Sequence, residues 1–446
     1  MKPNAYITGL AALSLATTAY ADVTINITGA TAFRSATLTA IKAQYDIGNG
    51  GVSYKYAHDK AAGGTNFNGS KRSIWVGKFP GITGTTTIRC CFTGSVEGVR
   101  ALNLTGAVDP APPTYYPVNQ LDTTTANNPG VEVASPTVVS PGLETLSTTS
   151  DIAFSDVNLA STPYTGSLLS NDRVGVIVFS MVSNEGSSIS SVTSQQYRAV
   201  LSKGQPLSLF TGNPANTTKV YAVGRNDGSG TRTTALAEVG YGITTTVKQY
   251  VAIESDASAI TKLQLVPAGG VNILNSQPGT GQLTTNASTV WGQNIAGNGG
   301  YDSGDNIAAD FGKTTASPTV YDETYTEIST GTKVDLITFC GVKDANTARN
   351  AGGILCKFNG EGLDLLGASG SLSAADKLKI KNGQYTAWGY ERMFRNTAVA
   401  DKVVAYNALK GAIPANIGTA GLPITTVGAE TKMNVSRASD GGTVAP

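Results

Sequence analysis

Lys219-Val-Tyr-Ala-Val-Gly224 runs directly into Arg225-Asn-Asp-Gly-Ser-Gly-Thr-Arg232, after which Leu236 and Val239 recur at helical spacing. A short β-branched run, a turn of glycines and hydroxyls, and a helix together make the strand–turn–helix unit of an α/β protein. The turn also has a definite chemistry. N–H groups at a helix start have no intrahelical acceptor and sit at the positive end of the helix dipole, so they suit an anion. Gly228 and Gly230 let backbone approach closely, and Ser229 and Thr231 add donors without adding charge. Arg225 brings a forked cation, and Asp227, two residues on, is placed to brace it.

Two further junctions have the same character. Val23-Thr-Ile-Asn-Ile-Thr28 alternates like a strand, enters Gly29-Ala-Thr-Ala-Phe33, and is followed by Phe33, Leu38, Ile41 and Tyr45 on one helix face. Ile88-Arg-Cys-Cys-Phe92 leads through Thr93-Gly-Ser95 to Val96, Val99 and Leu102. One such loop is ordinary turn chemistry; three of them, with Arg225, point to a bound anion. Asp151-Ile-Ala-Phe-Ser-Asp156 reads as a strand end carrying two acids. Val174 to Val182 is a continuous apolar run, as in a strand buried on both faces. Thr193 or Ser194 caps a helix that carries Tyr197, Val200 and Leu201 and closes at Lys203-Gly204. Val334 to Phe339 is a late strand. Residues 103–150 and 268–330 are rich in Pro, Thr, Asn, Ser and Gly and read as polar insertions.

The chain has 446 residues, too many for one simple core. Residues 1–21 read as an export signal: Lys2, an apolar stretch from Ile7 to Ala16, and a small-x-small cleavage pattern ending at Ala21. The apolar stretch is too short to span a bilayer, and no Cys follows the cleavage point to carry a lipid. A soluble periplasmic or secreted product is expected. Removing Lys2 leaves 31 basic against 31 acidic side chains, so there is no basic footprint for nucleic acid or an anionic membrane. Cys90, Cys91, Cys340 and Cys356 allow three pairings, of which Cys340–Cys356 is preferred. His58, the one histidine, reads as an exposed loop residue. The cysteine spacing matches no zinc motif, so neither a metal nor a cofactor is expected.

Arg225-Asn-Asp-Gly-Ser-Gly-Thr231 resembles the Arg-x-Asp-Gly-Ser-Gly-Thr loop of the periplasmic phosphate-binding proteins of ABC transporters and of their DING relatives. Gly29-Ala-Thr-Ala-Phe33, Thr93-Gly-Ser95, Phe154-Ser-Asp156, the Thr193–Gly204 helix, Gly341-Val-Lys-Asp-Ala345 and Asn382-Gly-Gln-Tyr385 are similar to further segments of that family, in the same order. The resemblance implies a two-lobed type II periplasmic binding-protein fold with ligand in the cleft, phosphate as ligand and an ABC permease as partner. It implies that Thr31 supplies a hydroxyl, that Ala32 and Phe33 present backbone, that Ser95 gives a hydroxyl and an amide, and that Asp156 accepts from the ligand. Arg225, braced by Asp227, would pair with ligand oxygens, and Ser229, Gly230 and Thr231 would cradle them. The chain departs from the family where Glu97 follows the second loop and where Thr28 precedes the first without the usual extra glycine. Another oxyanion therefore stays open as the ligand.

The resulting division is residues 22–180 with 335–446 as one lobe and 181–334 as the other. No Ser-His-Asp arrangement or G-x-S-x-G elbow is present, and an enzyme is not expected. A secreted lattice or adhesion protein built on a binding-protein fold is the competing reading.

Overall fold

The computed structural model describes residues 22–50, 54–60, 66–102, 113–121, 131–133, 146–242, 245–266, 275–276, 283–284, 299–301, 303–367, 370–418, 421–427 and 431–446. The export signal expected at 1–21 and most of the polar stretch at 103–150 lie outside these residues. The longer elements, in chain order, are β1 (Val23–Gly29), α1 (Arg34–Asn49), β2 (Lys55–His58), β3 (Arg72–Gly77), β4 (Thr86–Cys91), α2 (Ser95–Arg100), β5 (Ile152–Ser155) and β6 (Ser170–Ser183). They continue with α3 (Ser194–Ser202), β7 (Lys219–Val223), α4 (Gly230–Glu238), β8 (Gln249–Ser255), β9 (Ile260–Leu265), α5 (Gly304–Phe311), β10 (Val334–Gly341) and α6 (Val342–Asn350). The last are β11 (Ile354–Phe358), α7 (Ala374–Lys381), β12 (Trp388–Arg395) and α8 (Ala400–Asn416).

The molecule is α/β, and its described residues form two large hydrophobic cores and two small clusters. In the first, β1 lies between β4 and β5 and is parallel to both. Its buried residues Ile25 and Ile27 pack with Leu38, Ile41 and Tyr45 of α1 and Leu409 and Ile413 of α8. In the second, β7 lies between β8 and β10, again all parallel. Val220 and Ala222 there pack with Val200 of α3, Leu236 of α4 and Ile337 of β10. Parallel strands end their chains at the same sheet edge, where the βα turns collect and where open α/β sheets bind ligands. In the first half that edge carries Gly29–Phe33, Phe92–Gly94 and Asp156; in the second it carries Gly224–Ser229 and Gly341.

Two strands join the halves. β6 pairs with β12 over Ser170–Val178 and then with β10 and β11 over Phe179–Ser183. β12 runs back beside it, with Trp388 and Tyr390 in the second core and Met393 in the first. β10 and α6 pack in the second core, and Met393 of β12 packs in the first. β6 is buried from Val174 onward, as expected, although its partners are antiparallel.

Three expectations are corrected. All four cysteines are buried free thiols. Cys340 stands opposite Ser180 and Cys356 opposite Met181, on the two sides of β6. Two strand spacings, about 9.5 Å, exceed the reach of a disulfide. His58 is fully buried on β2, its ring stacked at 6.1 Å on Tyr56 and its Nδ1 accepting from the Lys60 amide. Inside the stretch read as an insertion at 268–330, Ser303 caps α5, whose Ile307 and Phe311 are core residues, and Thr319–Tyr321 pairs with β9. Among the described residues, no helix is long and apolar enough to cross a membrane and no group of His, Cys, Asp and Glu could hold a metal.

Candidate functional site

Glycine fits the three loops of the first half together. Gly29 has φ +128°, and a Cβ there would stand 2.0 Å from the Phe154 carbonyl oxygen. That oxygen accepts from Ala30 N at 2.8 Å, and the Gly29 oxygen accepts from Gly94 N at 3.0 Å. A Cβ on Gly98 would lie 2.6 Å from the Gly29 Cα, so α2 rests directly on the first loop. Loop 29–33, the start of α2 and the end of β5 therefore form one rigid edge.

The second half meets this edge through residues 225–231. The Gly228 carbonyl accepts from Val96 N at 3.1 Å and from Glu97 N at 3.3 Å. Thus the N–H groups of Val96 and Glu97, at the start of α2, are partnered by the opposite half. A Cβ on Gly230 would stand 1.5 Å from Asp156 Oδ1 and 2.6 Å from Ser95 Cβ. Ser95, Asp156 and Gly230, taken from three segments of the sequence, share one spot. Arg225 is 4% exposed; its Nε donates to the Tyr301 carbonyl at 3.1 Å, while its own carbonyl accepts from Gln249 Nε2 at 3.1 Å. Its charge acts on Asp156. Ser229 and Thr231 are buried at the start of α4, which has no side-chain cap and no acid in its first turn. The start of α1, at Phe33, is likewise uncapped and free of acids. Thr31 there is half-buried, Ala32 exposed, and the Phe33 ring buried against Gly175.

Asp156 is the centre of this arrangement. It is 1% exposed, and its Oδ1 has no hydrogen-bond partner. Burial pushes its carboxyl up to about 6, against the Ser95 hydroxyl, its own backbone amide and Arg225, which favour the charged form. Asp227 acts on Arg232, which burial pushes down to about 10, and on Glu97. Glu97, shifted up by burial, is turned to Arg100 at 3.6 Å.

Three residues of this region were not singled out from the sequence. Arg34, next to Phe33, has a buried Nε without a partner; burial lowers its pKa, against Asp305, Asp59 and Asp344. Asp344, in the first turn of α6, is pushed up to about 7 by burial and by Asp305, with Arg225 and Arg34 opposing. Glu391 on β12 is fully buried. The sequence carries little signal for Glu391, since Trp388–Arg395 also carries Arg392 and Arg395.

Among solved structures, the chain is similar to a phosphate ABC transporter substrate-binding protein with bound phosphate from Clostridium perfringens (9% identity, TM-score 0.40, covering 90% of this chain and 100% of that one). It is also similar to an ABC-type phosphate transport receptor from Vibrio cholerae (10% identity, TM-score 0.38, 89% and 98% covered). A DING protein is a third (13% identity, TM-score 0.37, 92% and 96% covered). No family model matches the sequence, nor does any curated protein. Identities this low leave function to the geometry of the site.

Proposed function

We propose that this chain is an exported solute-binding protein, not an enzyme, that captures inorganic phosphate between its two halves and passes it to an ABC-type permease. The first half would comprise residues 22 to about the middle of β6 with the end of β12 and α8, and the second the residues between. β6 and β12 would act as the hinge.

The observation that carries this reading is Asp156 Oδ1, a buried acceptor without a donor beside an arginine and an uncapped helix start. An unpaired buried acceptor is costly. A hydrogen-bearing oxyanion relieves that cost by donating to Asp156 while Arg225 and the α4 amides of Gly230 and Thr231 take its negative oxygens. Sulfate at neutral pH carries no proton, so the same carboxylate repels it, and the site selects by rejection.

Calorimetric titration of the chain with phosphate and with sulfate tests this. Near pH 8 phosphate binds at micromolar concentration or tighter and sulfate at least about a hundredfold more weakly. Asp156→Asn, whose amide donates as well as accepts, narrows that ratio by about tenfold or more. Below about pH 6, where Asp156 gains a proton and becomes a donor, the wild-type preference fades in the same way. No heat at millimolar phosphate would remove the receptor reading and leave the lattice or adhesion role.

A further inference from the structure

Glu391 is a buried acid that the phosphate reading does not use. The ladder between β12 and β5 ends at Arg392 with Ser155, and a Cβ on Gly389 would lie 3.3 Å from the Asp156 carbonyl oxygen, so β12 runs past Asp156 at Glu391. On the other side Glu391 is paired with Gly175 of β6, and a bulge separates it from Arg392. Its side chain is 0% exposed, and neither carboxyl oxygen has a hydrogen-bond partner. Where Gly175 would carry a Cβ, the Phe33 ring stands 2.8 Å away and Ile417 3.1 Å, so the position across from Glu391 on β6 is apolar.

The charged groups on the neighbouring elements are engaged elsewhere or have the same sign. Arg173 of β6 and Arg392 of β12 lie over the Tyr390 ring at 3.9 and 5.9 Å. Lys402 and Lys410 of α8 are paired with Asp151 and Asp172. From the second half Arg225 acts on Asp156, and Asp440 of the C-terminal segment adds a negative field there. The charge that bears on Glu391 is that of Asp156, and burial and that charge both push its carboxyl well above the usual range. Like charges on adjoining strands are destabilising, and a dry setting magnifies the penalty. Two adjacent buried carboxyls therefore titrate as a pair, with one of them kept protonated.

We propose that Glu391 is a second carboxyl of the anion site, held neutral beside an ionised Asp156, and that the site keeps its anion only while Glu391 holds its proton. The inference rests on the phosphate reading, and adds to it an alkaline limit set by the protein. Above that limit a second carboxylate stands beside the bound anion and expels it.

Phosphate titrations of the wild type and of Glu391→Gln, at about pH 6.5 and about pH 9, test this. Glutamine keeps the shape and cannot ionise, so the affinity of the variant changes less between the two pH values than that of the wild type. At the higher pH the wild type weakens by about tenfold or more relative to the variant. Parallel pH profiles for the two proteins overturn the proposal. Infrared spectroscopy gives a second reading, independent of phosphate. The wild type at neutral pH shows the C=O band of a protonated, buried carboxyl, sensitive to deuterium and missing from Glu391→Gln; absence of that band overturns the proposal. If wild type binds no phosphate at either pH, the phosphate reading fails, and the carboxyl band alone decides whether Glu391 holds its proton.

Discussion

Gly230→Ala is expected to lower the affinity for phosphate by at least about a hundredfold, corresponding to about 2.7 kcal/mol. The added methyl would stand 1.5 Å from Asp156 Oδ1, far inside any contact distance, and 2.6 Å from Ser95 Cβ. Neither neighbour can retreat at small cost. Both are buried, and their backbones are fixed by the bonds that join Gly29, Gly94 and Phe154. The relief available is separation of the 225–231 loop from the first half, which breaks the Gly228 bonds to Val96 and Glu97 and takes Arg225 away from Asp156. Neither hydrophobic core is touched, so the ligand-free protein loses only what the two Gly228 bonds contribute, about 1–3 kcal/mol, seen as a modest fall in melting temperature. Titration calorimetry with phosphate, paired with a thermal melt, checks both halves of this statement.

Arg225→Ala is expected to have the larger effect, a loss of about three orders of magnitude in phosphate affinity. Truncating one partner of a buried, charge-assisted contact costs about 2–5 kcal/mol, much of it from leaving the other charge unpaired. Here the groups left behind are the anion itself, Asp156 and Asp344, since the arginine charge acts on both carboxyls. Without it their carboxyl groups shift further up, and the acid side of the binding profile moves to higher pH. Arg225 also holds the Tyr301 carbonyl through Nε, so the ligand-free protein loses about 1 kcal/mol of stability as well. Arg225→Lys retains the charge without the fork and is expected to recover part of the affinity. A variant that binds phosphate as wild type does would place the anion elsewhere.

The parts of the site that could be read from the sequence are local. Each strand-to-helix turn carries its own glycines, hydroxyls and helix spacing, so Gly29–Phe33, Thr93–Ser95 and Arg225–Thr231 are visible one at a time. Their convergence is a property of the sheets: parallel β1, β4 and β5 deliver three segments to one edge, and parallel β7 and β10 deliver the others. Sequence spacing gave no sign that the Gly228 carbonyl, from the far half, would take the amides of Val96 and Glu97. The approach of β12 to Asp156 near Glu391 was equally hidden, because it depends on the register of strands more than 200 residues apart in the chain. His58 was misread for a related reason. It lies next to charged residues and glycine in the sequence, yet alternation along β2 turns it inward beside Tyr56. The preferred disulfide failed on topology, with β6 standing between its two cysteines. α5 was obscured by the composition around it, although Ser303, which accepts from Asn306 N, is an ordinary cap.

The central claim is that Asp156, Arg225 and the start of α4 enclose one hydrogen-bearing oxyanion. A crystal structure of the chain grown with phosphate tests it most directly. Tetrahedral density is expected within hydrogen-bonding distance of Asp156 Oδ1, the Arg225 guanidinium and the amides of Gly230 and Thr231. Density bound away from these groups, or none at saturating phosphate, would contradict the claim.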